Sequence, residues 1–139
     1  MSRTIAIVED DSDQRENYSD ALESQGYVVQ TYANKAQALE GFSSSLPDLA
    51  ILDIMLEDEI DGGFDLCREL RQMSPQMPII FLTALSELAD KMKGFDVGGS
   101  DYVTKPFDGP ELLGRVETNI SLYQTRKELA RVRQELKGQ

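Results

Sequence analysis

Leu49-Ala50-Ile51-Leu52-Asp53 sets four consecutive apolar residues directly before one carboxylate. Two other stretches have the same form, since residues 5–8 lead into Glu9, Asp10 and Asp11, and residues 79–82 lead into Thr83. A fourth, strand-like stretch at 101–104 leads into Lys105 and Pro106. Buried parallel strands read as continuous apolar runs, and open α/β sheets place ligand chemistry beyond the carboxyl ends of their strands. The four stretches therefore predict neighbouring strands whose polar ends share one crevice.

The segments between these runs have helical spacing. The pattern predicts helices over about 13–25, from a cap at Asn34 to the serines at 43–45, over 64–73 and over 86–97, with a further strand at 28–32. Five strand–helix units of this length pair in parallel through right-handed crossovers. The expected fold class is α/β, a doubly wound parallel sheet with helices on both faces.

Composition limits the possible partners. The 139 residues carry 14 basic and 25 acidic side chains, a net charge of −11, which disfavours contact with nucleic acid or an anionic membrane. Cys67 is the single cysteine, so no intramolecular disulfide forms, and a cytoplasmic location is expected. The interpretation of Cys67 is a small residue on a helix face. No signal peptide is expected, because the first residues lead directly into a strand-like run, and no apolar stretch of the sequence is long enough to span a bilayer.

The predicted crevice suits a divalent cation and a phosphoryl group. Asp53 is the group that would receive the phosphoryl, and Mg²⁺, with Mn²⁺ as a substitute, is the expected cofactor. Asp10 and Asp53 would bind the ion directly, Glu9 would bind it through a water, and the backbone carbonyl of Met55 would complete the set. Lys105 would pair with Asp53 and then with a phosphate oxygen, to which Thr83 would donate its hydroxyl. The chain has no histidine, so any phosphohistidine must belong to a partner.

Each of these residues taken singly is more often structural, because an aspartate at a strand end commonly caps a helix and Lys-Pro commonly forms a loop. Together, the motifs 8–11, 52–53, 82–84 and 101–107 resemble the receiver domain of bacterial two-component response regulators, over residues 3 to about 122. The resemblance implies a flavodoxin-like (βα)5 sheet with strand order 2-1-3-4-5, for which a receiver domain is itself a standard example.

The same resemblance implies a signalling switch rather than a turnover enzyme. A sensor histidine kinase or a phosphotransfer protein would donate the phosphoryl group to Asp53. Thr83 and Tyr102 would form the switch pair, with the Tyr102 ring rotating inward as Thr83 moves toward the phosphate. This movement would then shift the equilibrium between two conformations of the face formed by the fourth helix, fifth strand and fifth helix. A cis Lys105-Pro106 bond is also implied.

Two departures from the family pattern concern the acidic loop and the dimer face. The loop at 57–63 lacks the usual proline and is about two residues longer, and it fails as a calcium loop because Arg68 stands where the bidentate glutamate belongs. Four residues match positions that form ion pairs across dimers in the winged-helix branch: Lys91, Asp101, Glu111 and Arg115. Glu117 stands where that branch usually has a base, so a homodimer through this face is expected from a partial match.

The chain ends in a long helix, expected from about residue 108 to before Gly138. Leu112, Leu113, Val116 and Ile120 would pack on the sheet. Leu122, Leu129 and Leu136 then recur at every seventh position, which is typical of a coiled coil; a solvated, frayed tail is the alternative. The predicted organisation is a receiver domain at 1–122 and a helical linker at 123–139 toward an output domain.

Other functions of the same broad fold make different demands on the sequence. A magnesium-dependent phosphatase with an aspartate nucleophile needs a second carboxylate two residues later, where this chain has Met55. A flavin- or nucleotide-binding module wants a Gly-rich or Ser/Thr-rich phosphate loop after the first strand, where this chain has Glu9 and Asp10. A domain that only binds other proteins and accepts no phosphoryl group would not need the acidic residues Glu9, Asp10 and Asp53.

Overall fold

Five parallel strands form one sheet in the order β2-β1-β3-β4-β5, in a computed structural model that describes residues 3–54, 56, 62–83, 98–104 and 109–137. The elements follow the chain as β1 (Thr4–Val8), α1 (Ser12–Glu23), β2 (Val28–Tyr32), α2 (Lys35–Ser44), β3 (Leu49–Asp53), α3 (Gly62–Met73), β4 (Ile79–Thr83), β5 (Asp101–Thr104) and the C-terminal helix (Gly109–Lys137). The doubly wound fold and the 2-1-3-4-5 order are confirmed.

Side chains of the central strands alternate between two apolar cores. Ala6, Val8, Ala50, Leu52 and Phe81 face one core, which α2 and α3 cover. Their neighbours along the strands face a second core, which α1 and the C-terminal helix cover: Ile5, Ile7, Leu49, Ile51, Ile80, Leu82 and Val103. Because both faces are covered, the residues of β3 and β4 are all buried, which explains their unbroken apolar sequence.

The register of the strands brings their polar ends together. Val8 pairs with Leu52 across β1 and β3, so the next residues, Glu9 and Asp53, stand side by side. Asp53 in turn pairs with Leu82 of β4, the residue before Thr83. The crevice that the sequence predicts is therefore built by the sheet itself.

Local signals explain most helix boundaries. Asp11 caps α1 by accepting hydrogen bonds from the backbone N–H groups of Asp13 and Gln14, and Asn34 caps α2 through Gln37 N–H. Gly26, with φ of 92°, provides the left-handed turn that follows α1. The helix predicted over 86–97 lies outside the described residues.

Arg71 joins α3 to the loops that precede β4 and β5. Its Nε donates to Gly98 O at 2.8 Å and its Nη1 donates to Ser74 O at 3.2 Å and to Met77 O. Burial lowers the pKa of this guanidinium from its ordinary value, but that ordinary value is so high that the side chain stays a cation at neutral pH. One side chain thus ties α3 both to the loop that follows it and to Gly98, which is 27 residues away in sequence.

The C-terminal helix has 29 residues and therefore extends about 43 Å. Its first part packs on the sheet through Leu112, Val116 and Ile120, with Leu113 at the edge, as predicted. Its second part exposes Leu122, Leu129, Val132 and Leu136. Among the described segments, no helix is both long enough and apolar enough to cross a membrane.

Candidate functional site

Glu9, Asp10 and Asp53 form an acidic cluster at the carboxyl ends of β1 and β3. Each offers one carboxylate oxygen, and these atoms all lie within 4.8 Å of one another. Glu9 and Asp53 are buried, at 1% and 8% exposure, while Asp10 is exposed. The cluster therefore opens to solvent on the Asp10 side and lies against the sheet on the other.

The donor set fits a hard divalent cation. Magnesium prefers oxygen ligands at about 2.1 Å in octahedral geometry, so oxygens of one shell lie about 3–4 Å apart. The three carboxylates are close to that spacing before any ion draws them together. Clustered carboxylates repel one another, and a bound cation would relieve that repulsion. The Met55 carbonyl, the fourth predicted ligand, lies outside the described residues.

Backbone and side-chain hydrogen bonds hold the β1 end of the cluster. Glu9 N–H donates to Tyr32 O at 3.1 Å, and Arg15 Nη1 donates to Glu9 O at 2.7 Å. Asp11, the third residue of the acidic run, uses one oxygen for the two backbone N–H groups at the start of α1, at 3.0 and 3.1 Å. The run therefore divides into two residues of the acidic cluster and one helix cap.

The β3 end is held by close packing against Gly63. Ile54 N–H donates to Leu82 O at 3.2 Å, and Gly63 N–H donates to Ile54 O at 2.8 Å. A Cβ at Gly63 would lie 2.8 Å from the Ile54 Cα and still closer to the Asp53 carbonyl oxygen. The sequence analysis did not identify Gly63 as part of the site; the Gly-Gly pair after the acidic loop was the available signal.

Thr83 is the last residue of β4, and Tyr102 is the second residue of β5, where it pairs with Phe81. Thr83 is buried at 3% exposure, and it pairs with Thr104 in the backbone register. The Tyr102 ring is also buried, at 8% exposure, and packs against Phe81 with ring centroids 5.6 Å apart. The structure thus holds the ring on the inward side, the position that the sequence analysis assigned to the activated switch.

Two further predicted site residues, Lys105 and Lys91, lie outside the described residues.

Cys67 is fully buried in α3, and burial raises the pKa of its thiol from 9.0 to about 11. The positive charges of Arg71 and Arg68 lower this pKa, but by less than burial raises it. The thiol is therefore protonated at neutral pH, which agrees with the interpretation of Cys67 as a packing residue.

Part of the predicted dimer face forms contacts within the chain. Arg115 Nη1 lies 3.3 Å from Asp101 Oδ1, and the same carboxylate oxygen accepts from Tyr102 N–H at 2.8 Å. Asn119 Nδ2 donates to Asp101 Oδ2 at 3.0 Å and to Arg115 O at 2.8 Å. The buried Asn119 was missed by the sequence analysis, because an amide on a helix gives no signal of its own. Glu111 is exposed at the start of the helix.

Comparison with known proteins places this site in a family context. The family model described as the response regulator receiver domain matches residues 5–117. The transcriptional regulatory protein CreB of Escherichia coli is 36% identical over 115 residues, 83% of this chain and 49% of that protein. The chain spans about half the length of the curated relatives it matches.

Solved structures give the same result. A response regulator from Chloroflexus aurantiacus is 36% identical with a TM-score of 0.81, and the match covers 87% of this chain and 99% of that one. The beryllofluoride-activated receiver domain of DrrB is 34% identical with a TM-score of 0.79, again over 87% and 99%.

Proposed function

Because this chain belongs to the response regulator receiver domain family, we propose that it is a phosphorylation-dependent switch in which Asp53 accepts a phosphoryl group. The donor is a histidine kinase or a phosphotransfer protein, since this chain has no histidine of its own. A carboxylate oxygen of Asp53 forms the new P–O bond while the P–N bond of the phosphohistidine breaks and the imidazole leaves. The product is an acyl phosphate, and the chain acts as a switch rather than a turnover enzyme.

The observation that carries the proposal is the convergence of Glu9, Asp10 and Asp53 within 4.8 Å at the strand ends. These residues, with the Met55 carbonyl, would hold Mg²⁺, which neutralises phosphoryl oxygens as charge develops on them. Lys105 would supply a further positive charge to the phosphate, and Thr83 would donate its hydroxyl to it.

The readout proceeds through Thr83 and Tyr102. Movement of Thr83 toward the phosphate stabilises the inward position of the Tyr102 ring. This shifts the conformational equilibrium of the face that includes β5 and the C-terminal helix. Homodimerisation through Lys91, Asp101, Glu111 and Arg115 would then use a surface on which Arg115 and Asp101 are already paired within one chain. Residues 1–122 form the receiver, and 123–139 form the linker toward an output domain.

Labelling with acetyl phosphate in the presence of Mg²⁺ tests the phosphoacceptor. Asp53→Asn should abolish labelling while the circular dichroism spectrum is retained. Asp20→Asn, an exposed substitution on α1 with the same charge change, should be labelled like the wild type. Equal labelling of the Asp53 variant would reject the assignment.

A measurement of molecular mass with and without beryllofluoride and Mg²⁺ tests the proposed dimer. The mass should rise toward that of two chains on activation. A mass unchanged by that treatment would contradict activation by dimerisation.

A further inference from the structure

The exposed half of the C-terminal helix carries an apolar stripe. Leu122, Leu129, Val132 and Leu136 are 48%, 50%, 39% and 64% exposed. With Thr125 they occupy the a and d positions of two heptads, with the three leucines at a. Residues 109–120 bury a different face of the same helix against the sheet. The stripe is therefore not the face that packs on the receiver.

The two flanks of the stripe carry opposite charges. Arg126 and Arg133 occupy the e positions on one flank, and Glu128 and Glu135 occupy the g positions on the other. Arg131 lies outside the stripe and pairs with both glutamates, with its Nη1 2.9 Å from Glu135 Oε1. All of these side chains are exposed. The helix thus presents an apolar centre with one basic and one acidic edge.

From this arrangement we infer that the stripe binds the same helix of a second copy, parallel and in register; the inference deepens the proposed homodimer and rests on it. In a parallel pair, each g residue faces the e residue five positions later on the other helix. Glu128 of one copy then meets Arg133 of the other, and the pair occurs twice. In an antiparallel pair, basic edges would meet basic edges and acidic edges would meet acidic ones.

A groove lies beside the basic edge of the stripe. It has a volume of about 810 Å³ and lies between the C-terminal helix and the loops before β4 and β5, and Leu122, Arg126, Leu129 and Arg133 form its helical wall. The acidic edge of the second helix complements this wall. Parallel pairing places both receivers at one end of the assembly and both helix ends at the other.

Cysteine cross-linking in the full chain tests the orientation. Leu136→Cys, at an a position near the end of the helix, should form a disulfide-linked dimer on mild oxidation. Gln134→Cys, two residues away at the outward f position, is the matched control. Because pairing raises the local thiol concentration from micromolar to millimolar, the a-position disulfide should form at least about tenfold faster. The wild-type chain provides the baseline, since its only cysteine is buried.

Mixing the Leu122→Cys and Leu136→Cys chains separates the two orientations. Peptide mass spectrometry should find 122–122 and 136–136 disulfides in a parallel pair. Disulfides between 122 and 136 would overturn the proposal, as would equal rates for the a and f positions, no cross-linking, or a mass other than that of two chains. Repeating the oxidation in the Asp53→Asn background, at a chain concentration high enough for pairing without activation, should leave the 122–122 and 136–136 pattern unchanged, so a failure of phosphoryl acceptance is distinguishable from a failure of pairing.

Charge reversal tests the paired edges. Glu128→Arg and Arg133→Glu should each weaken self-association about threefold or more, because each variant alone brings like charges together twice. A mixture of the two variants should restore association to the wild-type level, since the arginine introduced at position 128 of one chain then faces the glutamate introduced at position 133 of the other. Circular dichroism of each variant below its association concentration controls for loss of the Arg131–Glu128 pair within the helix. Variants that associate as tightly as the wild type would overturn the assigned contact.

Discussion

Gly63 lies against the backbone of Asp53 so closely that no side-chain carbon fits between them. The contact joins the first turn of α3 to the residue that carries the proposed phosphoacceptor carboxylate. It also aligns Gly63 N–H with the Ile54 carbonyl at 2.8 Å, directly after the strand. The position of Asp53 therefore depends on a residue that has no side chain.

We predict that Gly63→Ala impairs both stability and phosphoryl acceptance. The added Cβ would meet backbone atoms of Asp53 and Ile54, which move only if the strand end moves. The expected loss is about 1–3 kcal/mol of unfolding free energy, with labelling reduced more than stability accounts for. Chemical denaturation and acetyl phosphate labelling measure the two effects.

Gly114→Ala is the matched control for that change. Among the described residues, no heavy atom outside the helix itself lies within 4 Å of a Cβ at Gly114, which is exposed in the second turn of the C-terminal helix. Alanine there should raise stability by about 0.5–1 kcal/mol through helix propensity and leave labelling unchanged. Equal effects of the two substitutions would contradict the close-packing argument.

We predict that Asp10→Asn and Asp11→Asn differ although they are adjacent and remove the same charge. Asp10 contributes an oxygen to the acidic cluster, so its amide should weaken Mn²⁺ or Mg²⁺ binding by at least about tenfold. Asp11 caps α1, and asparagine is an equally good cap, so its amide should bind the ion nearly as the wild type does. Titration with Mn²⁺, followed by fluorescence or electron paramagnetic resonance, makes the comparison. Equal losses would mean that net charge, not ligation, governs binding.

We predict that Arg71→Ala destabilises the fold while Arg68→Ala does not. Arg71 donates to backbone carbonyls of Ser74, Met77 and Gly98, and its loss leaves these acceptors without the charged donor. The expected cost is about 2–3 kcal/mol. Arg68, one turn earlier, pairs only with the half-exposed Asp65 at 2.7 Å among the described contacts, and its loss should cost less than about 0.5 kcal/mol. Urea unfolding of both variants tests the difference.

We predict that stability falls as pH rises from 9 toward 11 because of Cys67. Its pKa is raised from 9.0 to about 11 in the folded chain, so the unfolded chain loses the thiol proton first. Fewer protons bound in the unfolded state make the unfolding free energy decrease with pH, by at most about 2–3 kcal/mol over this window, and the full contribution is present below pH 9.

Comparison with Cys67→Ala isolates this effect. The alanine variant starts from a lower stability because it leaves a cavity, but its slope between pH 9 and 11 should be shallower. The raised pKa of Tyr27 contributes equally to both chains. Parallel slopes would contradict the assignment to the thiol.

Local patterns in the sequence sufficed to predict the strands, whereas the acidic cluster also required the strand order. Strand 28–32 follows from its β-branched and aromatic residues and the cap at Asn34 from its side-chain chemistry, and both act over a few residues. The convergence of Glu9 and Asp53 follows once the strand order is known, because parallel strands end at one edge. The order itself came from family resemblance rather than from periodicity.

Contacts between distant segments were not predictable from the sequence. Arg71 reaches Gly98 across 27 residues, and Asn119 reaches Asp101 across 18, and neither leaves a local pattern. Gly63 is similar, since a close approach of two backbones depends on how α3 meets β3. The start of α3 at Gly62 rather than at Phe64 has the same origin, because the glycines join the helix by packing on the strand end.

Side chains of the central strands alternate between two apolar cores, and this affects what determines the register between neighbouring strands. Polarity cannot prevent a one-residue slip in a sheet that is covered on both sides, since either face accepts a hydrocarbon side chain. Side-chain volume can prevent such a slip. The small Ala6 and Ala50 are partners on the side that holds Phe64 and Phe81, while the larger Ile7 and Ile51 are partners on the other side. A slipped strand would press isoleucine into the aromatic side and leave a void opposite, so complementary size determines which strand alignment is stable.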